Sequence, residues 1–174
     1  MNPAPIALLA TLALAAAPFS AAAETVTGRP AIIDGDTIEI SGKHIRLHGI
    51  DAPELGQACL RDGNSWACGQ EAMFALAALV EHHWVDCEGR TRDPCGRLVA
   101  ICTMGGPKGV NLGQQMVADG WAIADQERDP DYVEAEISAS AAKRNLWQST
   151  FQPPWEWRRA HRAETPAAQC NHGR

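Results

Sequence analysis

The chain has 174 residues, with 15 Lys plus Arg against 21 Asp plus Glu and a formal net charge of −6. That length supports one domain with a real core, and the acidic balance argues against a protein that grips nucleic acid through an overall basic surface. Charge is nevertheless local: "DQERDPDYVEAE" is negative while "KRNLW" and "PPWEWRRAHR" are basic, which leaves room for a positive face.

Residues 1–23 contain no charged side chain and run through Ile, Leu and Ala to a cluster of small residues. This predicts a signal peptide cleaved after Ala23, a secreted or periplasmic protein, and no membrane attachment after cleavage. An uncleaved anchor is the alternative, but the apolar run is short for a span and Pro18 interrupts its end. In an oxidising compartment the six cysteines are expected to pair. Cys59 and Cys68 bracket the polar loop "LRDGNSWA", which closes easily. Cys87 and Cys102 flank a segment centred on Pro94 and Cys95, so a hairpin turning there sets them directly opposite, close enough to bridge. Cys95 at the hairpin tip and Cys170 in the tail are left, to pair or stay free.

Between residues 25 and 49, Val, Ile and Leu alternate with polar residues, and "DG" and "SG" divide the run into strands over 25–33, 36–41 and 43–49. "CGQEAMFALAALVEHH" has helical spacing, with Met73, Leu76, Ala77, Leu79 and Val80 as core candidates. "WVDCEG" and "GRLVAICTM" are two more strands around the Pro94 turn. "VNLGQQMVADG" is a short helix, and "DYVEAEISASAAKRNLW" a longer one with Tyr132, Ala135, Ile137 or Ser138, Ala142 and Leu146 near one face. The prolines of "FQPPWEW" take that segment out of the helical state, and its tryptophans are expected to pack on the body. Residues 24–160 form one domain and 161–174 a tail. Five short strands with a helix after the third fit an α+β fold, a five-stranded OB-fold (Greek-key) β-barrel with packed α-helices.

The stretch "IIDGDTIEISGKHIRLHGIDAPE", residues 32–54, concentrates the chemistry. "DGDT" alone reads as a tight turn and "IDAPE" as a strand end, but a sheet that joins them makes a pocket of hard oxygens from Asp36 and Asp51. Without nearby His or Cys, such donors suit Ca²⁺, or Mg²⁺ or Mn²⁺, better than zinc. Arg46 lies in an apolar alternation on the strand leading to the acids, and Arg97 supplies a second guanidinium. A guanidinium fork beside a divalent cation suits a phosphate, and a spare carboxylate points to phosphodiester hydrolysis.

In order, "DGDT", "IRLHGIDAPE", "GQEA", "DPCGRLVA", "VNLGQQMVADGWA" and "YVEAE…AAKRNLW" resemble the staphylococcal-nuclease (thermonuclease) family over residues 31–147. The resemblance implies a Ca²⁺-dependent nuclease of the OB fold that cuts DNA and RNA and leaves 3′-phosphates; single-stranded DNA and RNA are the expected preferred partners, and a monomer the expected state. Position by position it makes Asp36, Asp51 and the backbone carbonyl of Ala52 the metal ligands. It makes Glu54 the residue that orients or deprotonates water, and Arg46 and Arg97 the phosphate grip.

The chain departs from the family in its substrate contacts. Cys95 stands where the family commonly has Tyr, and "ADQERD" occupies a segment that commonly holds another. Each lost stack weakens nucleotide binding by roughly 1 to 3 kcal/mol, and Asp125, Glu127 and Asp129 repel a polyanion if they rim the cleft. A noncatalytic OB-fold module that binds nucleic acid or a protein partner is therefore the rival, and a disulfide-stapled Ca²⁺-binding structural domain a third reading. The adjacent His82 and His83 read as a surface helix end, and Trp121, Trp147, Trp155 and Trp157 as packing residues more than base-stacking ones.

Overall fold

The computed structural model describes residues 22–106, 108–126 and 130–161. The expectations for the leader, Glu127, Asp129 and Cys170 lie outside these residues, Ala22 and Ala23 aside.

The first predicted strand is broken, and the break shapes the sheet. Arg29 and Pro30 separate β1 (Glu24–Gly28) from β2 (Ala31–Ile32), since proline has no N–H for a ladder. β3 (Thr37–Ile40) and β4 (Lys43–Leu47) form a hairpin whose turn residues, Ser41 and Gly42, both take positive φ. β5 (Ile50–Asp51) follows at once. The stretch between Cys59 and Cys68, expected as a polar loop, contains a small hairpin of β6 (Cys59–Arg61) and β7 (Asn64–Trp66). Then come α1 (Cys68–Val80), β8 (Val85–Arg92), β9 (Leu98–Met104), β10 (Val110–Asn111), α2 (Leu112–Ala118), β11 (Ile123–Ala124), α3 (Val133–Ala141) and α4 (Pro154–Ala160).

The main sheet has the order β1-β8-β9-β4-β3-β2, with β10 added on β9; only β4 and β9 run parallel. Its two ends, β1 and β2, are thus neighbours in the chain. The sheet curls until a Cβ built at Gly28 would lie 2.6 Å from Ile40 Cγ2. The α+β class agrees with the sequence expectation, and the sheet itself is curled, mixed and partly open. Ile38, Ile40, Ile45 and Leu47 fill its inside with Val85, Leu98 and Ala100, and Leu76, Val80, Leu112 and Met116 close it from the helices. Each of the Val, Leu, Ile and Met side chains among them contributes about 1.5 to 3 kcal/mol by leaving water.

Cys59–Cys68 and Cys87–Cys102 are bridged as expected, the latter pair directly opposed across β8 and β9 with Cα atoms 4.0 Å apart. Cys95 is disulfide-bonded too, and no described cysteine is free.

The helices differ more from expectation. α1 buries Cys68, Ala72, Leu76 and Val80, leaving Met73, Ala77 and Leu79 less completely covered. The single helix predicted over 131–147 is three pieces: a 3₁₀ turn at Pro130–Tyr132, α3, and a second 3₁₀ turn at Asn145–Gln148. Lys143 and Asn145 adopt positive φ and end the helical run. The buried face is Tyr132, Ala139 and Leu146, while Ile137 is 63% exposed and Ala142 is exposed. The prolines of "FQPPWEW" start a helix instead of preventing one. Pro154 is at its first position, where a missing N–H has no intrahelical partner to lose.

Candidate functional site

The loop Asp34-Gly35-Asp36-Thr37 folds on itself before anything else reaches it. The backbone N–H groups of Ile33 and Asp34 donate to the Thr37 carbonyl (3.0 and 3.3 Å), and the Asp36 N–H donates to Asp34 Oδ1 at 2.9 Å. Asp34 is thus the residue that shapes the loop. Gly35 lets the loop press against its surroundings: a Cβ there would sit 2.7 Å from the Ala52 Cβ and 2.9 Å from the Ala72 Cβ of α1. "DGDT", "IDAPE" and α1 therefore meet at one point. The Asp36 carbonyl accepts from the Leu47 N–H at 2.8 Å, and Asp36 Oδ2 accepts from the Ala52 N–H at 3.1 Å, so both ends of Asp36 are tied to the segments that follow.

Arg46 comes from β4, which lies between β3 and β9; it faces Thr37 in one register and Val99 in the other. The side chain, only 12% exposed, puts Nη2 2.7 Å from Asp51 Oδ1 and 3.1 Å from Asp36 Oδ2. One guanidinium nitrogen therefore touches both carboxylates. Arg97, just before β9, donates from Nη1 to Thr37 Oγ1 at 3.1 Å, and that hydroxyl lies 3.0 Å from Asp36 Oδ1. Its Nε is fixed by Asp93 Oδ2 at 2.6 Å, while Asp93 Oδ1 accepts the N–H groups of Cys95 and Arg97. Asp93 closes the β8–β9 turn and aims Arg97 at the loop.

Glu54 follows Asp51 by three residues. Its backbone N–H donates to Oε1 of the fully buried Gln57 at 3.3 Å, and its carbonyl accepts from the Gln57 N–H at 2.7 Å. Among the described residues the buried polar side chains are Asp34, Asp36, Thr37, Asp51 and Gln57, and all belong to this site.

Sequence reasoning missed one member. Arg158, on α4, donates from Nη1 to Asp51 Oδ1 (2.8 Å) and Glu54 Oε1 (2.6 Å), and from Nη2 to Asp51 Oδ2 (2.8 Å). The only signal for it is the basic run "PPWEWRRAHR", whose fold on the acids no local pattern encodes.

The electrostatics follow from this crowding. Burial pushes the Asp36 carboxyl above the ordinary range; Arg46 opposes the shift, and the charges of Asp34 and Glu54 add to it. Burial likewise raises Asp51, against the hydrogen bond from Arg158, with the Asp36 charge adding. Asp36 raises the proton affinity of Arg46 more than burial lowers it. For Arg158 burial pulls the other way, and its bonds and charge pairing with Asp51 and Glu54 outweigh it. Both guanidinium groups stay cationic.

The predicted rim is partly visible. β11 pairs with β5, opposing Ile123 to Asp51, and the Asp125 N–H donates to the Gly49 carbonyl at 2.8 Å, so the acidic segment starts beside the strand of Asp51. His82 and His83 lie exposed after α1. Trp121 packs on the core and Trp147 on Phe151, whereas Trp155 is exposed.

Residues 44–149 match the family described as staphylococcal nuclease homologue. The chain belongs to that family. Arg46, Asp51, Ala52, Glu54 and Arg97 fall inside the matched span of the nuclease homologue domain, while Asp36 precedes it and Arg158 follows it. Relatives include the succinoglycan biosynthesis protein ExoI of Rhizobium meliloti (strain 1021), 36% identical over 74% of this chain and 68% of that protein. The micrococcal nuclease of Shigella flexneri is 32% identical over 77% of this chain and 80% of its own length. The probable staphylococcal-like nuclease CAN4 of Oryza sativa subsp. japonica is 30% identical over 78% of this chain, which spans only 26% of that longer protein. No helix among the described residues is long and apolar enough to cross a membrane.

Proposed function

We propose that this chain is an exported Ca²⁺-dependent nuclease that hydrolyses DNA and RNA phosphodiesters, preferably single-stranded and without sequence preference, leaving 3′-phosphates. The observation that carries the reading is the meeting at Asp51, where Arg46 bridges to Asp36 and Arg158 bridges to Glu54. Family membership supports the reaction class. The donor chemistry fits a hard cation: Asp36 and Asp51 are buried carboxylates, and burial with like charges close by raises both carboxyls, so positive charge beside them is favourable. Asp36, Asp51 and the Ala52 carbonyl would hold Ca²⁺. The described residues gather no cluster of three or more His, Cys, Asp or Glu, so the protein itself would offer the ion two carboxylates and one carbonyl. When bound, the ion supplies positive charge to the phosphate and makes hydroxide less costly to form.

The chain's own residues supply the rest. Arg46 and Arg97 bind the phosphate and offset the charge that grows on its oxygens during in-line attack. Glu54 orients the water and takes its proton as the new P–O bond forms. The P–O5′ bond breaks, leaving a 3′-phosphate and a 5′-oxygen that takes a proton from solvent. Export is supported by the predicted leader and by the paired cysteines. The placement of β1 and β2 at opposite ends of one curled sheet supports an OB-type barrel whose first strand is broken at Pro30. We read the protein as a monomer.

The test uses residues 24–174, oxidised and folded, with heat-denatured DNA in Ca²⁺ or EDTA. Cleavage should require Ca²⁺ and fall by about 10² to 10⁴-fold in Glu54→Gln, in line with loss of a general base. The second reading is a noncatalytic binding module, favoured by Arg158 holding both oxygens of Asp51. Well-folded protein that binds denatured DNA but leaves it intact in Ca²⁺ and in Mn²⁺ establishes that reading and ends the first.

A further inference from the structure

Arg158 occupies the carboxylates that the proposed reaction needs. Its two terminal nitrogens take both oxygens of Asp51 and one oxygen of Glu54. A cation on Asp51 needs at least one of those oxygens, and the like charges of a guanidinium and a divalent ion repel across the few ångströms between them. Arg158 Nη1 also lies 2.6 Å from Glu54 Oε1, and so takes up an oxygen that a water would have to reach.

The element carrying Arg158 is lightly attached to the body. The chain is anchored up to Gln152: Thr150 and Leu60 exchange backbone hydrogen bonds at 2.8 and 2.9 Å, and Gln57 Nε2 donates to the Gln152 carbonyl at 2.7 Å. Beyond that point α4 buries only Pro154, with Trp157 half-buried near Gly56 and Trp155, Glu156, Arg159 and Ala160 exposed. A short helix with little buried surface docks and undocks at low cost.

We propose that α4 is an internal latch: Arg158 stands in for the divalent cation at Asp51, and the cation loads only as Arg158 is displaced. This rests on the reading of Asp51 as a metal ligand. Two states follow, latched and metal-free or loaded and open, and each biases the other by the same factor. Arg158 is not a catalytic residue in this scheme; it sets when the site becomes usable.

The experiment is calorimetric titration of the oxidised chain, residues 24–174, with CaCl₂ alone and no nucleic acid. Wild type, Arg158→Ala, Arg158→Gln and Arg159→Ala are compared, the last removing a neighbouring exposed charge. Circular dichroism melts establish that each is folded. The latch predicts Ca²⁺ binding about 5 to 150-fold tighter in both Arg158 variants and unchanged in Arg159→Ala, the range typical of coupled sites. By reciprocity, Ca²⁺ should speed hydrogen exchange at the α4 amides of wild type and leave the exchange of β4 unchanged. Equal or weaker Ca²⁺ binding in folded Arg158 variants overturns the latch and leaves the metal reading standing. Tightening in Arg159→Ala as well overturns it in favour of a bulk charge effect. Absence of Ca²⁺ binding in every variant overturns the metal reading and the latch together.

Discussion

Arg46 and Arg158 both donate to Asp51, yet they come from regions of very different construction. Arg46 projects from β4 in the interior of the sheet, with strands on both sides and a side chain 12% exposed. Arg158 projects from a peripheral seven-residue helix that buries one proline, and its side chain is 34% exposed. The first is a fixed counter-charge that the fold cannot withdraw. The second is removable. Two buried acids side by side are costly when both are charged, and the contrast sets a fixed cation and a more exposed one at the same carboxylate.

The largest effect that would break this comparison belongs to Arg46. Arg46→Ala should lower stability by about 3 to 5 kcal/mol in urea melts at neutral pH without metal, because Asp36 and Asp51 lose the charge buried between them. A loss as small as that of a surface arginine would mean that Arg46 is not the fixed partner. Asp93→Asn comes next, at roughly 1 to 3 kcal/mol. Burial pushes the Asp93 carboxyl up, but the hydrogen bond and charge of Arg97 and the N–H groups of Cys95 and Arg97 together hold it below the ordinary carboxylate value. A depressed carboxylate stabilises the fold above its unfolded pKa, and that contribution disappears as pH falls through the folded one. The deficit of Asp93→Asn in thermal melts should therefore be full at pH 7 and shrink steadily below the ordinary aspartate value of about 3.9. A deficit independent of pH would assign Asp93 a purely steric role in the turn. The smallest effect is that of Arg158→Ala on stability, under about 1 kcal/mol, since its pairs are partly open to water. A loss comparable to Arg46→Ala would erase the distinction between the two arginines.

How much of this is legible in the sequence depends on separation along the chain. Asp36, Arg46 and Asp51 lie within one stretch of alternating strands, so period and turn signals put them on neighbouring strands, whereas the place of Glu54 in the site is implied by the family resemblance; the opposed Cys87 and Cys102 follow from hairpin symmetry. Arg158 is separated from Glu54 by most of the domain, and its contact depends on how a loop, two 3₁₀ turns and a short helix return to the site. No propensity rule encodes that path. The prolines mislead for a related reason: Pro153 and Pro154 disfavour helix in its interior but favour it at its first turn, and only tertiary context decides which end they occupy. Ile137 falls on the expected buried face only when one helical period is run from Tyr132 to Leu146, but both of those lie in 3₁₀ turns and the residue α3 itself buries is Ala139. The β6–β7 hairpin hides in residues too polar to look like strands.

The contact of Gly35 with Ala52 and Ala72 gives the site a gauge. The loop bearing Asp36, the turn that follows Asp51 and the first half of α1 are spaced by the thickness of a bare backbone, and a single methyl group at position 35 would come 2.7 and 2.9 Å from the two alanines. That missing methyl sets how closely the Asp36 loop can approach Ala52, the residue after Asp51. On the proposed metal reading, changes in ion size preference should therefore be sought first not among the charged residues but at Gly35 and Ala72, where a wedge of one carbon presses on the Asp36 loop without replacing a ligand.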